Sequence, residues 1–190
     1  MKATTNIMIV GVGGQGSLLA SKLLGRLLLN EGYDVKVSEV HGMSQRGGSV
    51  VTYVRYGDKV YSPIIDKGEA DFIVSFEKLE AARYAAFLKK DGRIIVNSQE
   101  IEPMPVITGA AEYPHEAIDK LLAAGVDIDC IDALAPALEA GSSKAVNIVL
   151  MGRLSKFLPI EKEKWIEAIK QTVAPKFVEM NLKAFELGRK

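Results

Sequence analysis

The alternation of apolar and polar positions divides the chain into strands and helices that succeed one another from the N-terminus. Asn6 to Val10 is a short, β-rich apolar run that ends in glycines, and the leucines of Ser17 to Leu29 recur at helical spacing. Gly32 closes that helix, and Val35 to Val40 alternates as a second strand, so the opening reads as strand, turn, helix, strand in a βαβ unit. A polar segment from His41 to Gly48 interrupts the rhythm before Ser49 to Tyr56 alternates at period two. Gly57-Asp58 then signals a turn, with Lys59 to Ser62 as a hairpin partner.

Ala70 to Phe76 has the continuous apolar character of a buried strand, Glu77 to Leu88 the spacing of an amphipathic helix, and Arg93 to Asn97 follows the Asp91-Gly92 turn as another strand. Pro103 and Pro105 mark an irregular connection around a short strand at Val106-Ile107; His115 to Ala124 reads as helix and Val126 to Ile131 as extended. From about Ala133 to Lys190 the pattern is helical, broken at Gly141-Ser142-Ser143 and Pro159, with Pro175 at a first-turn position. The fold class expected is α/β and Rossmann-like, a mostly parallel sheet flanked by helices with a helical C-terminal region, and 190 residues suit one domain over 1–190.

Composition narrows what such a chain does. Hydrophobic residues at 48% and charged residues at 25% are those of a folding domain. Twenty-four basic side chains cancel twenty-four acidic ones, so no global field draws in nucleic acid or an anionic membrane, and any anion must be met by local geometry. One cysteine, Cys130, supplies neither a disulfide framework nor the thiolates of an iron–sulfur cluster. No stretch approaches the ~18 apolar residues of a bilayer span, and no secretory leader is visible, which makes the cytoplasm the expected location.

Two segments carry candidate chemistry. Gly11-Val12-Gly13-Gly14-Gln15-Gly16 fits G-x-G-x-x-G between a strand and a helix, where glycines let backbone N–H groups approach a phosphate at the positive end of the helix. Glu39, near the end of the second strand, stands where a dinucleotide fold places its ribose-binding acid, so an NAD(P)-binding oxidoreductase is one reading of this pattern. The second segment is His41 to Gly48, in which Arg46 offers a planar fork for phosphate or carboxylate and Ser44 and Gln45 offer hydrogen-bond donors. A non-catalytic nucleotide-sensing or assembly module is a further reading, because no catalytic residue is assignable. His41 has no nucleophile to pair with, and His115 reads as a surface residue. Cys130 reads as a buried small hydrophobe, Trp165 as helix packing, and no metal-ligand spacing is present.

The stretches Val10 to Gly16, Ser38 to Val50 and Val54-Arg55-Tyr56-Gly57 together closely resemble the gamma-type domains of the 2-oxoacid:ferredoxin oxidoreductases, and among them the small beta subunits of the indolepyruvate-oxidising branch. The resemblance spans essentially the whole chain, with its specificity in the first sixty residues. It implies a subunit of a complex that converts aryl pyruvates to acyl-CoA, carbon dioxide and reduced ferredoxin. It implies also that thiamine diphosphate, magnesium and iron–sulfur clusters reside on a larger alpha subunit, and that ferredoxin is reached through the complex. By the same resemblance Gly11, Gly13, Gly14, Gln15 and Gly16 contact CoA, with Ser44, Gln45 and Arg46 lining the cleft or the subunit interface.

Overall fold

The structure, a computed structural model, describes residues 4–41 and 48–190, with only the backbone described at His41. Its centre is a six-stranded sheet in the order β2-β3-β1-β4-β5-β6. The strands are β1 (Thr5–Val12), β2 (Asp34–His41), β3 (Ser49–Gly57), β4 (Ala70–Ser75), β5 (Leu88–Asn97) and β6 (Asp127–Ile131). β1, β4, β5 and β6 pair in parallel, whereas β3 pairs antiparallel with both β1 and β2. Five of the six strands therefore point the same way, as expected of a mostly parallel sheet.

The helices are α1 (Ser17–Asn30), α2 (Lys78–Tyr84), α3 (Met104–Ile107), α4 (Ala117–Ala123), α5 (Leu134–Ala140), α6 (Val146–Leu154), α7 (Lys162–Thr172) and α8 (Val178–Arg189). Odd-numbered positions of β1 and even-numbered positions of β3 and β4 (Ile7, Ile9, Val54, Tyr56, Val74) face α1 and the C-terminal helices. Met8, Val10, Val51, Ile73, Ile94 and Val96 face the other side, where Ala81 of α2 and Ile118 of α4 cover them. This is the period-two consequence of a sheet buried on both faces. α1 contributes Leu23, Leu24, Leu27 and Leu28, all fully buried, and each is worth about 1.5–3 kcal/mol by transfer from water. The helix stops where Gly32 takes a φ of 80° and Tyr33 N–H returns to the Leu28 carbonyl at 3.1 Å.

The C-terminal helices lock together by close backbone approach. A Cβ on Gly188 would lie 2.1 Å from the Val149 carbonyl oxygen, and one on Gly152 would lie 2.3 Å from that of Phe185, so α6 and α8 cross at a glycine contact. Beside it Trp165 of α7 is fully buried and stacks on Phe185, with ring centroids 5.7 Å apart. No helix among the described residues is long and apolar enough to cross a membrane.

Several expectations need correction. β2 does not neighbour β1: β3 is inserted between them, so the βαβ reading of the first forty residues holds for direction and not for adjacency. Lys59 to Ser62 is not a hairpin strand, because both edges of β3 are already taken; the N–H of the buried Val60 is held instead by Asp34 Oδ2 at 2.9 Å. Asp91-Gly92 does not separate two elements but lies inside β5, where the register shifts and Asp91 adopts a φ of 67°. Val106-Ile107 is the end of the helical turn α3, capped by Pro103. Cys130 is exposed on the edge strand β6 rather than buried.

Candidate functional site

The chain leaves β1 through the glycine segment and enters α1 within four residues, and each glycine answers a different constraint. Gly11 is still in the strand and buried. A Cβ there would sit 2.8 Å from Gln15 Oε1 and 3.0 Å from Phe76 Cβ, so its hydrogen side chain lets Gln15 fold back over the turn. Gln15 accepts the Val12 N–H at 2.7 Å through Oε1 and donates through Nε2 to the Phe76 carbonyl at 3.2 Å and to Gln99 Oε1 at 3.3 Å. Its side chain is thus a staple across the ends of β1, β4 and β5.

Gly13 donates its N–H to the Gly48 carbonyl at 3.0 Å, which binds the turn to the entrance of β3. Gly14 is exposed with a φ of 94°, and Gly16 caps α1 with a φ of 88°. A Cβ on Gly16 would meet Asn147 Nδ2 at 2.7 Å; that amide, on the first turn of α6, donates to the Gly16 carbonyl at 3.2 Å. Among the described residues, the N–H groups of Gly14, Gly16, Ser17 and Leu18 make no hydrogen bond. They stand at the positive end of a 14-residue helix that has no acidic residue in its first turn. Such amides gain most from an anionic oxygen.

Two clefts flank the turn. One, of about 380 Å³, is lined by Gly13, Gly14, Gly16, Ser17, Leu18, Glu39 and Val50. The other, of about 570 Å³, lies toward β4 and β5 with Gln99, Leu134, Lys144 and Asn147 on its walls. Gly14 and Gly16 belong to both. Of the residues singled out from sequence, Gly13, Gly14 and Gly16 line the first cleft, Gln15 lines the second, and Gly11 is packed beneath the turn. Ser44, Gln45 and Arg46 lie outside the described residues, as does the side chain of His41. Ser17 and Leu18 were legible as the first helical residues after the motif; Gln99, Lys144 and Asn147 come from remote elements with no local signal.

Glu39 does line the glycine cleft, yet the inserted β3 places its strand two spacings from β1, about 10 Å instead of about 5 Å. That is a poor match to a dinucleotide fold, in which the ribose acid sits on the strand beside the glycine turn.

The buried carboxylate of Glu77 serves the fold beside the turn. Glu77 caps α2, accepting the Glu80 N–H at 2.9 Å and the Ile101 N–H at 3.1 Å, and takes a hydrogen bond from the Tyr113 hydroxyl. Burial and the Glu77 carboxylate push the Tyr113 phenol far above its ordinary value. At the surface, Glu100 joins Lys78 Nζ at 3.0 Å and His115 Nδ1 at 2.8 Å; the bond from Lys78 holds its carboxyl below the ordinary range. Among the described residues no group of His, Cys, Asp and Glu forms a metal-binding cluster.

Comparison with known proteins places these features in context. Residues 6–190 match the family described as Pyruvate ferredoxin/flavodoxin oxidoreductase. The chain is 46% identical over 190 residues to Indolepyruvate oxidoreductase subunit IorB of Thermococcus kodakarensis, covering 97% of this chain and 94% of that one. It is 42% identical to the protein of the same name from Archaeoglobus fulgidus, over 96% of this chain and 92% of that one. Among solved structures, the gamma subunit of a keto/oxoacid ferredoxin oxidoreductase from Geobacter sulfurreducens superposes with a TM-score of 0.72 at 23% identity, over 97% of this chain and 95% of that one. The 2-oxoglutarate:ferredoxin oxidoreductase of Magnetococcus marinus, solved with 2-oxoglutarate, coenzyme A and succinyl-CoA bound, has a TM-score of 0.76 at 20% identity. It matches 100% of this chain with 31% of its own, and at these identities the likeness is one of fold.

Proposed function

This chain belongs to the pyruvate ferredoxin/flavodoxin oxidoreductase family, and we propose that it is the small, non-redox subunit of an indolepyruvate oxidoreductase, a single domain of the gamma type working in the cytoplasm. The observation that carries the reading is the 46% identity to subunit IorB over nearly the full length of both chains. The complex would oxidise aryl pyruvates to acyl-CoA and carbon dioxide and pass the electrons to ferredoxin.

In that complex the glycine turn holds CoA. The amides of Gly14, Gly16, Ser17 and Leu18, which make no hydrogen bond among the described residues, suit the negative oxygens of its diphosphate, and the absence of Cβ atoms at Gly13 and Gly14 lets the phosphates approach the backbone. Gly11 and Gln15 serve by keeping the turn in shape, since the Gln15 side chain is already bonded on both ends. Ser44, Gln45 and Arg46 complete the cleft or the contact with the partner. Thiamine diphosphate, magnesium and iron–sulfur clusters belong on the larger subunit, where they supply the decarboxylation and electron transfer. A chain with one cysteine has no thiolate set for a cluster.

The test is reconstitution. The purified chain is expected to be colourless and inactive, and adding the larger subunit is expected to give ferredoxin reduction that requires both indolepyruvate and CoA. Turnover by the isolated chain, or stoichiometric NAD binding to it, would contradict the assignment.

A further inference from the structure

On the face of the sheet opposite α1, a buried carboxylate is tied to the junction that fixes the glycine turn. Glu80, in the first turn of α2, is only 4% exposed, a position that a carboxylate holds only when its oxygens are paired. Its Oε2 accepts a hydrogen bond from Ser49 Oγ, and its Oε1 lies 3.1 Å from Arg83 Nε. The Tyr84 hydroxyl lies 3.3 Å from the same Ser49 oxygen. Burial pushes the Glu80 carboxyl above its ordinary range and neighbouring Glu77 adds to this, while Ser49 and Arg83 oppose it.

Ser49 opens β3 and is the register partner of Val12, the last residue of β1. The residue before it, Gly48, offers the carbonyl that receives the Gly13 N–H. One short path therefore runs from the α2 carboxylate through the Ser49 side chain and the Gly48 carbonyl to the amide at the head of the glycine turn. An apolar residue at position 80 would cover the sheet without the desolvation cost. A paired carboxylate adds direction to the contact, which apolar packing does not supply.

We infer that Glu80 is a positioning residue for the glycine turn: through Ser49 it fixes the Gly48 carbonyl, the Gly13 amide and so the mouth of the cleft. The inference deepens the proposed CoA reading and rests on it for its functional part, though the mechanical part stands alone. Ser49→Ala removes the link from an exposed position and leaves the core intact; Glu80→Ala removes the carboxylate, and Glu80→Gln keeps an acceptor for the Ser49 hydroxyl.

The first readout is hydrogen exchange at the Gly13 amide in the full chain, measured by NMR without any ligand. Ser49→Ala and Glu80→Ala are expected to speed exchange roughly tenfold, the size of one lost hydrogen bond of this type, with Glu80→Gln closer to wild type. Unchanged Gly13 protection in folded Ser49→Ala would overturn the inference. The second readout is steady-state kinetics of the complex with the larger subunit. Ser49→Ala is expected to raise the KM for CoA several-fold while kcat and the KM for the oxoacid hold. A fall in kcat with every KM unchanged would mark a merely structural role and overturn it. If Gly14→Ala weakens CoA and Ser49→Ala does not, the positioning role fails and the CoA reading stands; if neither weakens CoA, the CoA reading itself has failed.

Discussion

Gly14→Ala separates the backbone requirement of the turn from its contact with a ligand. Gly14 has a φ of 94°, and a Cβ built on it finds nothing within 4 Å, so the substitution creates no clash among the described residues. The remaining cost is conformational: an L-residue on the left-handed side loses roughly 1–2 kcal/mol. For a chain of 190 residues, 1 kcal/mol moves Tm by about 2–4 °C, so the isolated variant should melt about 2–8 °C below wild type. Gly14 lines both clefts, so on the CoA reading a methyl group there is expected to crowd the phosphates that would lie against the amides. Losing one charge-assisted hydrogen bond there, worth about 1.5–3 kcal/mol, should raise the KM for CoA by roughly 10- to 100-fold. The assay is ferredoxin reduction by the complex over a range of CoA concentrations, beside thermal unfolding of the chain. A Tm shift of the expected size with an unchanged CoA requirement would refute the assignment of the turn to CoA. Gly16→Ala is less informative, because its Cβ would also strike Asn147 at 2.7 Å.

Other outcomes follow from packing and charge. Gly188→Ala should cost about 2–3 kcal/mol in urea unfolding with an unchanged m-value, because its Cβ meets the Val149 backbone; a loss under about 0.5 kcal/mol would contradict the α6–α8 contact. Glu100 is held below its ordinary 4.5 by Lys78 and His115, so its contribution to stability is present above that value and lost as pH falls through the lowered range. Wild type should therefore be more stable than Glu100→Gln at neutral pH, with the difference vanishing in acid; a difference that persists there would show the bonds are not charge-dependent. The proposed single-domain organisation predicts that the chain unfolds in a single transition seen alike by far-ultraviolet dichroism and Trp165 fluorescence, and two separated transitions would contradict that organisation.

The parts of the fold legible in the sequence are those set by local chemistry. The strand, glycine turn and leucine-faced helix from Asn6 to Leu29 follow from periodicity and from glycines at positions of positive φ or close approach. The period-two run of β3 marks a strand and its faces, but the pattern is silent on which strands flank it, and so its insertion between β1 and β2 was not foreseen. The Asp91-Gly92 pair carries turn chemistry, and the sheet absorbs it as an irregularity inside β5. Cys130 looked buried because apolar residues surround it in sequence; as part of an edge strand it has a neighbour on one side alone. In the site, Gly13, Gly14 and Gly16 were readable. Asn147, which reaches Gly16 across 131 residues, and the Glu80–Ser49 link are products of tertiary packing and leave no pattern along the chain.

The central claim is that CoA meets the amides at the start of α1, and hydrogen exchange read by mass spectrometry addresses it directly. On adding CoA to the complex with the larger subunit, the peptide spanning Gly13 to Leu18 should gain protection, while indolepyruvate or NAD added alone should leave that peptide unchanged. Protection gained elsewhere with this peptide unaltered, or gained equally with NAD, would contradict the account.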